Sequence, residues 1–332
     1  MKRLAVIGGG SWGTALAIVL APRFERVRLW VFESDLAERM RTRRENDVYL
    51  PGFRLPDNVE PLDSPGAAVE AAEIVLSVTP SHHTRRIFEE LSESAAPSML
   101  FVSATKGLEG GTLERMTEVI AETLRPKFPP RVGALSGPTF AREVAGGEPA
   151  AIVIASHDAD LARSVQLAFA GPTFRLYTNA DPVGVELGAA LKNVIAIAAG
   201  VCAGMGLGSN TTAALITRGL AEITRLAVAA GGQSRTLAGL AGLGDLVLTC
   251  NGVLSRNRTV GFRLGRGETL QEILASMNMV AEGVKTTFAA MELAARLEVE
   301  IPIARQMRAI LQGDRSPREA VKELMERSLK EE

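Results

Sequence analysis

The stretch Leu4-Ala5-Val6-Ile7-Gly8-Gly9-Gly10-Ser11-Trp12-Gly13-Thr14-Ala15-Leu16-Ala17 decides how the rest of the chain is read. Leu4–Ile7 is an unbroken apolar run of strand length, as expected of a strand buried on both faces. A glycine turn follows, then small residues in a helical pattern. The spacing Gly8-x-Gly10-x-x-Gly13 gives each glycine a physical task. Gly8 permits a tight turn, Gly10 lets the backbone approach a pyrophosphate, and Gly13 lets the helix pack close to the strand. Unpaired N–H groups at the helix start then face the anion. A glycine turn alone is a weak signal. The strand before it and the small-residue helix after it make it a predicted dinucleotide site.

Working outward, short apolar runs alternate with helical patterns. Val27–Phe32, Ile74–Val78, Leu100–Ser103, Val132–Leu135 and Ala151–Ala155 read as strands. Helices are expected around Thr84–Ser94, after Thr112 as a cap, and from Asp158 to Phe169. This alternation predicts an α/β fold with a doubly wound, Rossmann-type parallel sheet. From about Pro182 strand-like runs nearly vanish and helical patterns take over, the last with Ser316 as N-cap and Pro317 at the first helical position. The expected organisation is a dinucleotide-binding domain over 1–181 and an all-α substrate domain over 182–332. Asn193–Thr217 carries no charge and is long enough to span a bilayer, but its glycines, Asn210 and hydroxyl residues dilute its apolarity. A buried core helix is the better reading.

Composition narrows the function classes. With 46% hydrophobic and 23% charged residues, the 332-residue chain is globular and long enough for two domains. A net charge of -1 argues against long-range attraction to nucleic acid or acidic lipid. Cys202 and Cys250 make no disulfide framework and no metal-ligand spacing, and are expected as reduced thiols in the cytoplasm. Met1-Lys2-Arg3 before Leu4–Ile7 imitates a signal peptide, but Gly8-Gly9-Gly10 cuts the apolar stretch short. His82, His83 and His157 show no metal-ligand pattern, and no metal is expected. The sequence sets no oligomeric state; a homodimer is compatible with it.

The cofactor is read as NAD or NADP. Glu33, 20 residues beyond Gly13, directly follows the second strand. A carboxylate there accepts hydrogen bonds from the adenosine ribose and repels a 2′-phosphate, which tilts the reading toward NAD. Arg39, Arg41, Arg43 and Arg44 either reach an added phosphate or form a solvated helix face, so the preference stays open.

The chemical residues fall beyond strand ends and in the helical half. Thr105-Lys106-Gly107 follows one predicted strand and Ser136-Gly137-Pro138-Thr139 another, where ligands bind in a doubly wound sheet. Lys192 sits in a largely apolar helical stretch, Val185–Asn193, whose other charge is Glu186. It either snorkels to solvent or faces a site, because unpaired burial is costly. In a site it suits the general acid–base step of alcohol oxidation. Asp245, after Gly242-Leu243-Gly244, is read as orienting Lys192, as capping a helix, or as doing both. Thr249, at i+4, shares its face. Ser255-Arg256-Asn257-Arg258 gathers donors suited to phosphate, or is a polar loop between helices.

Taken together, Gly8–Ala15, Thr105–Gly107, Ser136–Ala141, Leu191-Lys192-Asn193, Gly242–Leu246 and Ser255-Arg256-Asn257 resemble the bacterial type of NAD(P)-dependent glycerol-3-phosphate dehydrogenase, in order and to at least Glu282. The resemblance implies reduction of dihydroxyacetone phosphate to sn-glycerol 3-phosphate for phospholipid synthesis. It implies Lys192 as the proton acceptor, and Lys106, Gly137, Thr139, Asp245, Ser255, Arg256 and Asn257 around the substrate. It further implies that Ser11, Trp12, Lys106, Ala141, Arg256, Val280 and Glu282 touch the cofactor. Thr139 stands where many members have serine, and Phe32-Glu33 departs from a His-containing stretch near the adenosine pocket in some members. The second departure bears on cofactor preference. A carboxylate substrate also suits an arginine, which leaves open a hydroxy-acid or ketopantoate dehydrogenase. A non-catalytic dinucleotide sensor would need the glycine loop but not Lys192.

Overall fold

Strand β1 (Arg3–Ile7) runs through the middle of the first unit, and its alternate residues feed two separate cores. Leu4 and Val6 pack into one cluster with Leu16, Leu29 and Leu76, while Ala5 and Ile7 pack into the other with Val75, Phe88 and Phe101. Burial on both faces is why the run is apolar without alternation. The remaining strands are β2 (Arg26–Trp30), β3 (Glu45–Asn46), β4 (Leu50–Arg54), β5 (Val59–Leu62), β6 (Ile74–Ser77), β7 (Leu100–Ser103), β8 (Arg131–Ser136), β9 (Ala150–Ala155) and β10 (Phe174–Asn179). The computed structural model describes residues 1–277 and 281–328.

Eight strands form one sheet in the order β10-β9-β8-β7-β6-β1-β2-β5, and β3 pairs with β4 in a small hairpin. Strand order reverses across β1 and β6, which places the topological switch point at the glycine loop. The sheet is parallel except between β8 and β9. There the link over residues 137–149 contains only the short helix Ala141–Ala145, which packs on helix Ser11–Leu20. Nothing carries the chain back across the sheet, so β9 starts at the end where β8 stops. β5, β10 and the hairpin lie outside the expected strands. The helix expected after Thr112 begins at Met116, and Thr112 Oγ1 instead donates to Glu109.

The chain divides into Met1–Glu186 and Leu187–Glu332. Helix Pro182–Gly204 starts in the first unit, where Glu186 accepts hydrogen bonds from Thr117 N and from Arg115 at 2.9 and 2.7 Å. This helix has a mean hydropathy of 1.6 over its most apolar window, yet 94% of that window is buried, as for a core helix. Among the described residues from Leu187 on there is no strand.

Two contacts shape the second unit. Helix Pro182–Gly204 crosses helix Arg256–Gly265 backbone to backbone. A Cβ at Gly200 would fall on Arg258 O, one at Gly204 on Phe262 O, and one at Gly261 on Ile197 O. Gly261→Ala is therefore expected to cost at least about 2 kcal/mol, as overpacking does where backbone cannot yield. Denaturant unfolding of the variant measures it, and an unchanged midpoint would show that the helices move apart freely.

The second contact is Glu222, 3% exposed, which accepts the N–H groups of Ile303 and Ala304 at the start of helix Pro302–Gln312, both at 2.9 Å. Burial pushes its carboxyl up from 4.5 to about 7, with the two N–H groups opposing. The folded chain thus holds this proton more tightly than the unfolded chain does. The stabilisation is complete below pH 4.5 and is lost as pH rises to about 7. Between about pH 5.5 and pH 8 the parent should lose roughly 2 kcal/mol relative to Glu222→Gln. Urea unfolding of both proteins across that range checks this; parallel profiles would refute it.

Candidate active site

In the first unit the candidate residues collect at the carboxyl ends of β1, β6, β7 and β8. Gly8 sits at φ +126°, and a Cβ there would lie 2.7 Å from Val78 O. A Cβ at Gly13 would fall on Gly8 O, whereas Gly10 has nothing within 4 Å of its Cβ position. The three glycines thus have three different surroundings: a strained turn, a close helix–strand contact, and open space in front of the backbone. Ser11 and Trp12 begin helix Ser11–Leu20, whose N-cap residue Gly10 supplies no side-chain hydrogen bond. The Trp12 indole Nε1 is buried without a partner among the described residues, as are the hydroxyls of Ser77, Ser103 and Ser136 at the last positions of β6, β7 and β8. An open backbone cradle, an uncapped helix start and orphaned polar atoms fit a bound dinucleotide pyrophosphate.

Three further segments border this end of the sheet. Thr105 Oγ1 donates to Thr79 O at 2.9 Å, which fixes the turn that presents the half-buried Lys106. Gly137, at φ +155°, would bring a Cβ to 2.9 Å from Ile152 Cα, so the turn after β8 requires glycine. Thr139 Oγ1 donates to Gly137 O at 3.2 Å, and Ala141 opens the short helix that follows.

Glu33 stands just beyond β2 and accepts a hydrogen bond from Tyr49 Oη at 2.7 Å. Phe32 beside it is 65% exposed, with the Arg86 guanidinium 6.0 Å from its ring centroid. The arginines of the next helix have partners of their own. Arg39 pairs with Asp35 and Asp47, Arg41 with Glu38, Arg43 with Asp47, and Arg44 donates to the carbonyls of Pro56 and Val59. Each would have to break an existing contact to receive a phosphate.

In the second unit Lys192 does not snorkel. It is 4% exposed, and Nζ donates to Asp245 Oδ1 at 2.5 Å and to Thr249 Oγ1 at 2.7 Å. Asp245 is fully buried and is the first residue of helix Asp245–Asn251, whose cap position belongs to Gly244. Its side chain accepts from Lys192 from the first helical position, not from the cap position. Thr249, one turn later, donates its hydroxyl to Asp245 O at 2.6 Å. A buried ammonium is held by an anion and a hydroxyl on one face of a single helix.

Ser255, Arg256 and Asn257 form the start of helix Arg256–Gly265, not a loop. Ser255 Oγ caps it by accepting from Arg258 N at 3.2 Å. Asn257 Oδ1 accepts from Gly283 N at 2.9 Å, which leaves the amide nitrogen as the donor end of that side chain. A Cβ at Gly283 would lie 2.8 Å from Asn193 O, so the chain after Glu282 rests on the residue next to Lys192. Protein packed around the Arg256 guanidinium pulls it below the usual arginine value while Glu282 opposes, but the side chain keeps an open face to water. That open face decides its state: a charged donor group. Val280 lies outside the described residues. Sequence reasoning missed Asn46 and Tyr49, which act through hydrogen bonds between segments and belong to no periodic pattern.

The described residues hold no group of three or more His, Cys, Asp or Glu placed to bind a metal. Cys202 and Cys250 are both buried and unpaired, and burial pushes the Cys250 thiol up to about 12.

Residues 3–162 match the family model for the NAD-dependent glycerol-3-phosphate dehydrogenase N-terminus, and residues 181–322 match that for the C-terminus. A Koribacter versatilis protein named glycerol-3-phosphate dehydrogenase [NAD(P)+] is 59% identical, with 98% of each chain covered. One of the same name from Acidobacterium capsulatum is 52% identical over 100% of both chains. The crystal structure of a Coxiella burnetii glycerol-3-phosphate dehydrogenase superposes with a TM-score of 0.93 at 39% identity, covering 98% of this chain and 99% of that one. By these matches along its length, the chain belongs to the NAD-dependent glycerol-3-phosphate dehydrogenase family.

Proposed function

We propose that this chain is an NAD(P)-dependent glycerol-3-phosphate dehydrogenase that interconverts dihydroxyacetone phosphate and sn-glycerol 3-phosphate, the backbone of glycerophospholipids. The observation that carries the mechanism is the buried Lys192 ammonium between Asp245 and Thr249. When bound, the nicotinamide dinucleotide donates or accepts the hydride. Gly8, Gly10, Ser11, Trp12 and Gly13 hold its pyrophosphate, Glu33 its adenosine ribose, and Lys106, Ala141, Arg256, Val280 and Glu282 further parts of it. Residues 1–181 are the dinucleotide-binding domain and 182–332 the helical catalytic domain, in a cytoplasmic enzyme.

In the reduction, Lys192 Nζ passes a proton to the carbonyl oxygen of the substrate as that carbon receives hydride. The lysine is left neutral and regains a proton from water. In the oxidation, neutral Lys192 takes the hydroxyl proton. Asp245 and Thr249 fix where Nζ stands, and Asp245 favours the charged form. Lys106 places a second positive charge that polarises the same oxygen. Gly137 and Thr139 line the substrate position. Ser255, Arg256 and Asn257 bind the phosphate, with Arg256 supplying the charge.

Steady-state assays should show turnover of dihydroxyacetone phosphate and none of 2-keto acids of similar size. Turnover of the acids alone would replace this reading with that of a hydroxy-acid dehydrogenase. Both NADH and NADPH should serve, with NADH preferred; a large preference for NADPH would remove Glu33 from its role.

Lys192→Ala should lower kcat by about 100-fold or more while leaving cofactor affinity nearly unchanged. The substitution also leaves Asp245 buried without its cation, a loss of roughly 3–5 kcal/mol. The uncharged pair Lys192→Met with Asp245→Asn is therefore measured alongside. Near-normal kcat in either protein would exclude Lys192 as the proton-transfer group.

A further inference from the structure

The β3–β4 hairpin has no counterpart in the sheet and contributes none of the residues assigned above, yet it is bonded to both parts of the nucleotide site. Asn46, fully buried, donates its amide to Gly9 O at 2.8 Å and to Thr14 Oγ1 at 2.9 Å. Its Oδ1 accepts the N–H of Tyr49 at 2.9 Å. Tyr49 in turn donates its hydroxyl to Glu33 Oε1. An unbroken path of hydrogen bonds thus runs from the glycine loop through Asn46 and Tyr49 to the acid beyond β2.

We infer that Tyr49 is a positioning residue for cofactor choice: it clamps one oxygen of the Glu33 carboxylate so that the other is presented to the adenosine ribose hydroxyls. This rests on Glu33 being the ribose acid. A carboxylate has acceptor sites on two oxygens, so one bond to tyrosine leaves Oε2 for a diol. A glutamate at a strand end is otherwise mobile about three side-chain torsions, and holding it lowers the entropy lost on binding. The clamp also keeps a negative charge fixed where a 2′-phosphate would enter. The helix that follows does not offset that charge, since Arg39, Arg41, Arg43 and Arg44 are each engaged elsewhere. The bond to Glu33, with burial, pushes the Tyr49 phenol up to about 12, so it remains a donor at any working pH.

The test is binding, read by fluorescence titration of the full chain with NADH and with NADPH, with no substrate present. Tyr49→Phe removes only the hydroxyl and keeps the ring. It should weaken NADH binding about fivefold or more and change NADPH binding less than twofold, so the ratio of the two dissociation constants shifts. A role in packing alone would weaken both equally, and that result, or no change in either, overturns the inference. Glu33→Gln separates the two layers of the argument. If it shifts the ratio and Tyr49→Phe does not, Glu33 selects the cofactor without the clamp and the inference alone falls. If Glu33→Gln leaves the ratio unmoved, Glu33 is not the ribose acid, and that assignment falls with it.

Discussion

A single buried ammonium group on helix Pro182–Gly204 constrains the second unit. Lys192 cannot be buried without an anion, and the anion cannot be buried without donors of its own. The chain meets both needs with Asp245 and Thr249, placed one turn apart on helix Asp245–Asn251. Their spacing makes the face of that helix a fixed receptor for the lysine. The glycine-lined crossing of helices Pro182–Gly204 and Arg256–Gly265 then sets the distance between Lys192 and the Ser255–Asn257 segment. Backbone contact is stiffer than contact through side chains, because no rotamer can absorb an error. Lys192 and the Ser255–Asn257 segment, the proposed acid–base and anion-binding groups, are thus held in register by the same pair of helices.

The first unit reaches a similar end by other means. Its site is made largely of backbone: a turn at positive φ, an uncapped helix start, and carbonyl and amide groups brought close where no Cβ intervenes. Such a site has no side chains to lock it, so the locking is done from outside. Asn46 reaches in from the hairpin and donates to the buried Gly9 carbonyl at 2.8 Å, a shorter bond than the 3.3 Å one from the Thr14 hydroxyl. The hairpin is therefore a brace and not an ornament of the sheet.

Two buried acids follow a common rule. Glu186 accepts from the first turn of helix Met116–Leu124, and Glu222 from the first turn of helix Pro302–Gln312. Helix starts carry unpaired N–H groups and partial positive charge, so each provides both the donors and the field that a buried carboxylate needs. Neither acid belongs to the helix it caps. Each therefore ties two elements together at a defined point, and in Glu222 burial still outweighs the donors.

The sequence alone determined the features that depend on local chemistry. The apolar run Leu4–Ile7, the spacing of Gly8, Gly10 and Gly13, and the strand–helix alternation are written along the chain, because strand burial and helix packing impose short-range patterns. Ser316 and Asp158 announced their helices for the same reason: a cap acts on N–H groups three residues away. The motifs around Lys106, Lys192, Asp245 and Arg256 were legible because unusual residue types stand together in short segments. What only the tertiary structure decided were matters of distance between remote segments. Whether Lys192 was buried or snorkelling, and whether Asp245 capped a helix or served the lysine, depended on a contact spanning 53 residues. The antiparallel turn of β9, the edge strands and the Asn46–Tyr49 path to Glu33 carried no local signal, because each depends on where a neighbouring segment lies and not on the pattern within the segment itself.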